Sequence, residues 1–207
     1  MRYAIYHTPD RDDPLTIAAA TWLGRDAFGR PPTSIDLPPQ WSGERHMALV
    51  ADARRYGFHA TLKAPFHLAC GKTEADFLAA FDQLSLAREP IEISSLVLRQ
   101  IDGFFALVPE EPNDLLQGLA ALLVREFDCF RAPLTESDIQ RRNPQSLTES
   151  ERLNLERWGY PYVFEDFFFH MTLTGRVQGQ EAKAVLALLE DRFDAFLRKP
   201  HLISNIA

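Results

Sequence analysis

Two five-residue segments, at 58–62 and 169–173, share the pattern Phe-His-x-Thr-Leu. Side chains alternate between the two faces of a β-strand, so the His and the Thr share one face while the Phe, the central residue and the Leu share the other. The pattern therefore predicts two half-buried strands, near residues 57–64 and 167–175, each with its apolar face in the core. One His-x-Thr in a chain with six histidines is unremarkable. Two copies with matching Phe and Leu neighbours are not expected by chance.

Each segment presents an imidazole beside a hydroxyl: His59 with Thr61, and His170 with Thr172. If the two strands lie near each other across a cleft, these four side chains converge on one site. Imidazole titrates near neutral pH, so one His can act as a base while the other, protonated, acts as an acid. Threonine hydroxyls can donate hydrogen bonds to phosphate oxygens. The four residues predict phosphoester chemistry that needs neither a metal nor another cofactor; the alternative is that each segment is merely a polar strand face.

The rest of the chain alternates between predicted helices and strands. Apolar periodicity and capping residues predict helices near 14–28, 73–86, 112–127, 148–158 and 180–197. Strands are expected at 3–7, 90–99, 104–108 and 165–176, and from residue 201 as part of a strand that is cut short at Ala207. Loops are expected at 29–43 and 128–147. These elements indicate an α+β fold with antiparallel or mixed sheets and flanking helices, in one domain covering residues 1–207.

Composition excludes some classes of function. The chain has 207 residues and a net charge of −7, which argues against proteins that coat nucleic acids or membrane surfaces. No apolar run has the length of a membrane span, and the N-terminus does not resemble a signal peptide, so a cytoplasmic protein is expected. Cys70 and Cys129 have no metal-binding or disulfide spacing. They are expected to be buried free thiols in a reducing compartment.

The wider sequence around the two segments narrows the interpretation. Residues 55–66, 130–135, 158–163 and 169–176 resemble the subgroup of the two-histidine (2H) phosphoesterase superfamily that is associated with phosphonate metabolism. The resemblance implies a bilobal, pseudo-two-fold α+β fold in which the paired His-x-Thr strands face a central cleft. It also implies metal-independent action on cyclic or 2′-linked phosphodiesters. The superfamily's motif positions correspond here to His59, Thr61, His170 and Thr172.

The expected reaction is the hydrolytic opening of a small cyclic phosphodiester, with His170 as base and His59 as acid, although the residues do not distinguish the two roles. Lys63 either reaches a second phosphate or is a solvated edge lysine. Tyr56 and Tyr160 either close over a sugar ring or cap the core. Arg55 and Tyr162 also flank the two strands, and their roles stay open. Three arginines of segment 128–147 belong either to a lid or to a charged surface loop: Arg131, Arg141 and Arg142.

The resemblance favours a ribose cyclic phosphate that bears a 5-phosphate, produced in phosphonate breakdown. Alternatives are the processing of RNA ends or 2′-5′ linkages, and a non-catalytic module that binds a nucleotide or phosphosugar. A metal-dependent hydrolase lacks the ligand spacing. Few cations are available near the site, namely Lys63, Arg55, Arg176 and a protonated histidine. They can neutralise one or two phosphates, so a small phosphorylated substrate is favoured over RNA, with no membrane partner and with the oligomeric state left open.

Overall fold

The computed structural model describes residues 1–31 and 33–207, which form two antiparallel sheets flanked by helices. The larger sheet has the strand order β1 (Tyr3–His7), β2 (Ala60–Phe66), β6 (Met171–Thr172), β5 (Phe104–Pro109) and β4 (Leu96–Ile101). The smaller sheet pairs β3 (Ile91–Ile93) with β7 (His201–Ile203). Every pairing between these strands is antiparallel. The predicted α+β class is therefore confirmed.

Most of the helices among the described residues follow a residue whose side chain accepts a hydrogen bond from the first turn. The helices are α1 (Pro14–Leu23), α2 (Gly43–Val50), α3 (Glu74–Leu86), α4 (Asp114–Glu126), α5 (Glu136–Gln140), α6 (Glu149–Trp158) and α7 (Gly179–Phe193). Capping boxes open α3 at Thr73 and α6 at Thr148, as the sequence predicts, and a third opens α5 at Thr135. No helix among these residues is both long enough and apolar enough to cross a membrane.

The two His-x-Thr segments contribute their apolar face to the core, as predicted. The six side chains concerned are at most 4% exposed: Phe58, Ala60, Leu62, Phe169, Met171 and Leu173. Burying a side chain of the size of Phe, Leu or Met contributes about 1.5–3 kcal/mol. This burial fixes which face of β2 and β6 points away from the core, because a slip of one residue would move the whole apolar set to the other side.

The second strand is much shorter than the predicted 165–176. Only Met171 and Thr172 pair as a strand. Beyond them the backbone N–H of Phe105 donates to the hydroxyl of Thr174 at 2.9 Å, and that hydroxyl donates to the carbonyl of Gly175 at 2.8 Å. The hydroxyl of Thr174 thus replaces the backbone acceptor for the N–H of Phe105, although the carbonyl of Phe105 still accepts from the backbone N–H groups of Leu173 and Thr174. Thr174 is buried instead of sharing a face with His170 and Thr172.

Other expectations need correction. The predicted strand 90–99 is two strands in different sheets, β3 and β4. Helix α1 ends at Leu23, before the predicted 28, because Gly24 takes a left-handed conformation with φ +61°. Helix α2 was not predicted, and in the expected loop 29–43, of which Pro32 lies outside the described residues, the side chain of Trp41 is buried.

The cysteines and the C-terminal tail also differ from expectation. Cys70 and Cys129 are free but exposed, because one lies in the turn before α3 and the other in the single 3-10 turn after α4. Beyond β7, the backbone N–H and carbonyl of Ala207 each hydrogen-bond to Tyr6 at 2.8 Å. The tail therefore lies along the outer edge of β1.

Candidate active site

The register between β2 and β6 brings the two His-x-Thr segments together. Ala60 lies opposite Met171. Continued by one residue in each direction, this antiparallel register places His59 across from Thr172 and Thr61 across from His170. Side chains opposite each other in an antiparallel pair lie on one face, with their Cβ atoms about 4.5–5.5 Å apart. All four side chains are half-buried, on the face turned away from the core. We call these four residues the His/Thr patch.

Within the patch, like residues occupy opposite corners. The two imidazoles stand on one diagonal and the two hydroxyls on the other, because each His faces the Thr of the neighbouring strand. Diagonal neighbours across a strand pair are about 7–8 Å apart, which long side chains can bridge. A group bound over the centre of the patch would therefore have an imidazole on each of two opposite sides.

Both imidazoles are held in the same way. The Nδ1 of His59 is 2.9 Å from the carbonyl oxygen of Gly57, and the Nδ1 of His170 is 2.8 Å from that of Phe168. A carbonyl can only accept, so each Nδ1 carries a proton and donates it, and in the neutral ring the lone pair is on Nε2. In both residues Nε2 is thus the atom that can exchange a proton with a bound molecule.

The backbone before the first segment requires glycine. Gly57 has φ +80°, a conformation that residues with a Cβ rarely adopt. A Cβ at this position would stand 2.9 Å from the Cβ of Ala27 and 3.0 Å from its Cα. Gly57 therefore allows the backbone to approach Ala27 closely, in the conformation whose carbonyl accepts the hydrogen bond from Nδ1 of His59.

Burial lowers the pKa of His59 below its usual value, and the nearby His170 contributes in the same direction. The carbonyl of Gly57, which accepts a hydrogen bond from Nδ1, acts in the opposite sense. The net effect favours the neutral form of His59, whose Nε2 can accept a proton.

Aromatic side chains surround the patch, and one of them was not foreseen. Tyr6 pairs with Thr61 in the β1–β2 register, and its ring centre is 4.4 Å from that of His59. The ring of Tyr56 is 6.2 Å from His59 on another side. Alternation within β1 separates Tyr6 from Ile5 and His7, but the chain does not show locally that β1 lies beside β2. Burial raises the pKa of the Tyr6 hydroxyl, which keeps it protonated as a hydrogen-bond donor.

The supporting residues that the sequence singled out fall into two groups. Lys63 is 4% exposed and donates from Nζ to the carbonyl of Val124 at 3.2 Å, so it is not a solvated edge lysine. Tyr160 is half-buried, 5.5 Å from the ring of Tyr162. Arg55 and Arg176, by contrast, are exposed. The guanidinium of Arg55 lies 5.9 Å from the centre of the Tyr56 ring, and the side chain of Arg176 is next to Gly103 at the β4–β5 turn.

A cavity of about 250 Å³ is lined by the second half of β2, from Lys63 to Phe66, and by none of the four patch residues. It contains five cationic side chains, which come from three distant parts of the chain: Arg2, Lys63, Arg131, Arg141 and Arg142. We call it the basic cavity. The three arginines of the irregular segment 128–147 thus line a cavity and are not scattered on a surface loop. Their spacing carries no periodic signal, so the sequence alone could not have placed them together.

The described residues contain no group of three or more His, Cys, Asp or Glu side chains placed to hold a metal ion. The fold and the patch define an α+β protein whose two His-x-Thr segments lie on neighbouring central strands of one antiparallel sheet. The chain belongs to the family described as "Protein of unknown function (DUF1045)", which matches residues 61–207. That match contains Thr61 and all of the second segment.

Two relatives align with most of the chain. The chain is 39% identical over 187 residues to a protein named ribose 1,5-bisphosphate phosphokinase PhnN from Janthinobacterium sp. (strain Marseille), covering 90% of this chain and 41% of that protein. It is 36% identical over 200 residues to a protein of the same name from Laribacter hongkongensis (strain HLHK9), covering 97% and 46%. The chain therefore spans less than half the length of these relatives. No solved structure matches it.

Proposed function

We propose that this chain is a two-histidine phosphoesterase that hydrolyses a small cyclic phosphodiester. The observation that carries this proposal is the diagonal arrangement of the His/Thr patch. A phosphorus atom bound over its centre has one imidazole on the side of an attacking water and the other on the side of the departing oxygen, as an in-line displacement requires. The hydroxyls of Thr61 and Thr172 then donate to the non-bridging oxygens, where negative charge develops.

The match between the two strands supports the superfamily assignment. Gly57, His59 and Thr61 correspond to Phe168, His170 and Thr172 at one constant spacing along the chain, and the paired residues Ala60 and Met171 have the same spacing. A two-fold axis normal to the sheet, midway between Ala60 and Met171, would exchange the two segments. We infer from this local symmetry the bilobal, pseudo-two-fold arrangement with a central cleft that is typical of two-histidine phosphoesterases.

The environment of His59 favours one assignment of the catalytic roles. Because burial lowers its pKa, His59 is neutral over a wider pH range than a free imidazole, and a general base has to be neutral. We therefore assign His59 as the base and His170 as the acid, the reverse of the assignment made from the sequence. The Nε2 of His59 takes a proton from water as the water oxygen bonds to phosphorus. The ester bond on the opposite side breaks, and the Nε2 of His170 gives its proton to the departing ring oxygen.

The kinase activity in the relatives' name is proposed to reside in the part of those proteins that this chain does not cover. A P-loop that binds ATP needs the pattern G-x-x-x-x-G-K-S/T. The nearest segment here is Gly71-Lys72-Thr73, but Phe66 stands where the first glycine is required. The chain therefore does not carry that phosphate-binding loop.

The relatives' name also supports a substrate. Joining a hydrolase to a ribose 1,5-bisphosphate kinase suits two consecutive steps, in which the hydrolase supplies ribose 1,5-bisphosphate. A cyclic phosphate that opens to this product must bridge O1 and the adjacent O2 of a ribose that already carries a 5-phosphate. We propose this ribose cyclic phosphate, an intermediate of phosphonate breakdown, as the substrate, with cleavage of the bond between phosphorus and O2.

A panel of cyclic phosphates followed by phosphorus NMR tests the proposal, with RNA ends, 2′-5′ linkages and ATP plus ribose 1,5-bisphosphate as further arms. We expect ring opening that survives a chelator. His59→Ala and His170→Ala should each lower kcat by about 10³-fold or more. The double variant should be little worse than either, since the two residues act as a unit.

Circular dichroism and thermal unfolding of each variant distinguish lost chemistry from lost structure. Full activity in either single variant, with the fold intact, would end the proposal. Binding without turnover by the unaltered chain would identify a non-catalytic module. Faster turnover of 2′-5′ linkages or RNA ends would favour the RNA-processing alternative, and transfer of phosphate from ATP would show a kinase.

A further inference from the structure

The basic cavity holds more positive charge than its own carboxylates balance. Arg131 is ion-paired with Asp128, Nε to Oδ1 at 2.8 Å, and Arg141 is ion-paired with Asp138. Asp138 is the one acidic residue among the described residues that line the cavity. The other three cations, Arg2, Lys63 and Arg142, have no carboxylate within 4 Å in the part of the chain that the structure describes. Three positive charges thus face one small space in a protein whose net charge is −7.

Of these charges, the ammonium of Lys63 costs the most free energy to keep away from water. Its side chain is buried, and its ammonium has one carbonyl partner, Val124. Burial lowers its pKa to about 8, although Asp128 acts in the opposite direction. A bound anion would offset the cost of holding this charge away from water.

Two of the cavity's arginines, Arg131 and Arg142, are held in place before any ligand arrives. The guanidinium of Arg142 lies 4.7 Å from the centre of the Tyr160 ring. Arg131 donates from Nη2 to the carbonyl of Arg157 at 2.9 Å. It passes so close to Gly159 that a Cβ there would stand 2.9 Å from Cδ of Arg131. Such preorganisation reduces the conformational entropy that binding would otherwise cost.

We propose that the basic cavity binds a phosphate monoester located on the substrate at a distance from the reacting phosphodiester. This inference rests on the proposed function, because it takes the His/Thr patch as the place of reaction. An irregular step in the β1–β2 pairing places Lys63 opposite Ile5 and Thr61 opposite Tyr6, so these two side chains do not share a strand face. Tyr6 connects the two places instead, because its ring centre is 4.4 Å from that of His59 and its hydroxyl is close enough to Arg2 and Tyr160, which line the cavity, to interact with them electrostatically. The substrate class is therefore a sugar with a cyclic phosphodiester at one end and a phosphate monoester at the other.

The test compares a ribose cyclic phosphate with and without its 5-phosphate. In the unaltered chain, kcat/KM should be higher for the phosphorylated sugar by about 10- to 100-fold per charged contact. Arg142→Gln and Lys63→Met should each reduce this preference at least about tenfold. The matched control is Arg25→Gln, an exposed arginine outside the cavity, which should leave the preference intact.

Calorimetric binding of ribose 5-phosphate separates this inference from the proposed function. If the chain binds ribose 5-phosphate and Arg142→Gln weakens that binding, but no cyclic phosphate is hydrolysed, the subsite stands and the proposed reaction fails. If cyclic phosphates are hydrolysed with no preference for the 5-phosphate, the subsite is wrong. Equal losses on both sugars in both cavity variants would also overturn it.

Discussion

A buried pair of histidines makes the fold sensitive to acid. His7 is fully buried, with Nδ1 3.0 Å from the carbonyl oxygen of Asn205 and Nε2 3.0 Å from Nε2 of His201. Because the carbonyl can only accept, Nδ1 of His7 carries the proton, and its Nε2 must accept from His201. A second proton on His7 would make two N–H groups face each other as long as His201 carries its proton on Nε2. The pair joins β1 to β7, so its loss would affect both sheets.

The size of the effect follows from the pKa. Burial lowers the pKa of His7 to about 4 from 6.5, so between these values the unfolded chain binds a proton that the folded chain does not. Stability is therefore highest above the unfolded pKa and falls as the pH drops toward the folded one. From about pH 7 to about pH 4.5 the free energy of unfolding should fall by about 2–3 kcal/mol through His7 alone.

Urea unfolding at constant ionic strength, followed by circular dichroism across this pH range, measures the loss. His7→Gln removes the titrating ring. Between pH 7 and pH 4.5 this variant should therefore lose about 2–3 kcal/mol less of its free energy of unfolding than the unaltered chain loses. His67→Gln is the matched control, since His67 is exposed, and it should keep the full acid dependence. If His7→Gln and the unaltered chain lost the same free energy of unfolding as the pH is lowered, the reasoning would be refuted.

Three further substitutions test the backbone and the patch. Gly57→Ala should lower the free energy of unfolding by about 1–3 kcal/mol, because of its positive φ and the contact with Ala27, and should also reduce turnover; a melting temperature equal to that of the unaltered chain would contradict this. Thr174→Val should destabilise by about 1–3 kcal/mol, because it leaves the buried N–H of Phe105 unpaired, whereas Thr172→Val should lower kcat with little change in the urea midpoint. The reverse pattern would show that the two threonines have been assigned the wrong roles.

The parts of the fold that the sequence predicted are those that local physics determines. Alternation in 58–62 and 169–173 identified which side chains are buried, because a strand has only two faces. Capping boxes located the starts of α3 and α6, because the cap and its partner are three residues apart. The length of β6 was overestimated for a non-local reason. The hydroxyl of Thr174 reaches β5 and accepts the N–H of Phe105 in place of a backbone carbonyl, which the pattern of residues cannot show.

In the site, too, local sequence predicted some features and contacts between distant residues determined the others. The four residues of the His/Thr patch could be named from the sequence, but their diagonal arrangement depends on the pairing of Ala60 with Met171, which are far apart in the chain. Tyr6 was missed because it reaches His59 only through the neighbouring strand.

The net charge of this protein is a poor guide to what it binds, because the charged side chains are distributed unevenly over the fold. At −7 the chain as a whole repels polyanions. Yet Arg2, Lys63 and Arg142 come from separate parts of the sequence to one cavity of about 250 Å³, where packing and an aromatic ring hold two of them. A long polyanion would extend beyond the cavity over a protein whose net charge is −7, whereas a small sugar bearing two phosphates would place its charge only over the patch and the cavity. The expectation of a small substrate, first drawn from the scarcity of cations, therefore rests on their location and no longer on their number.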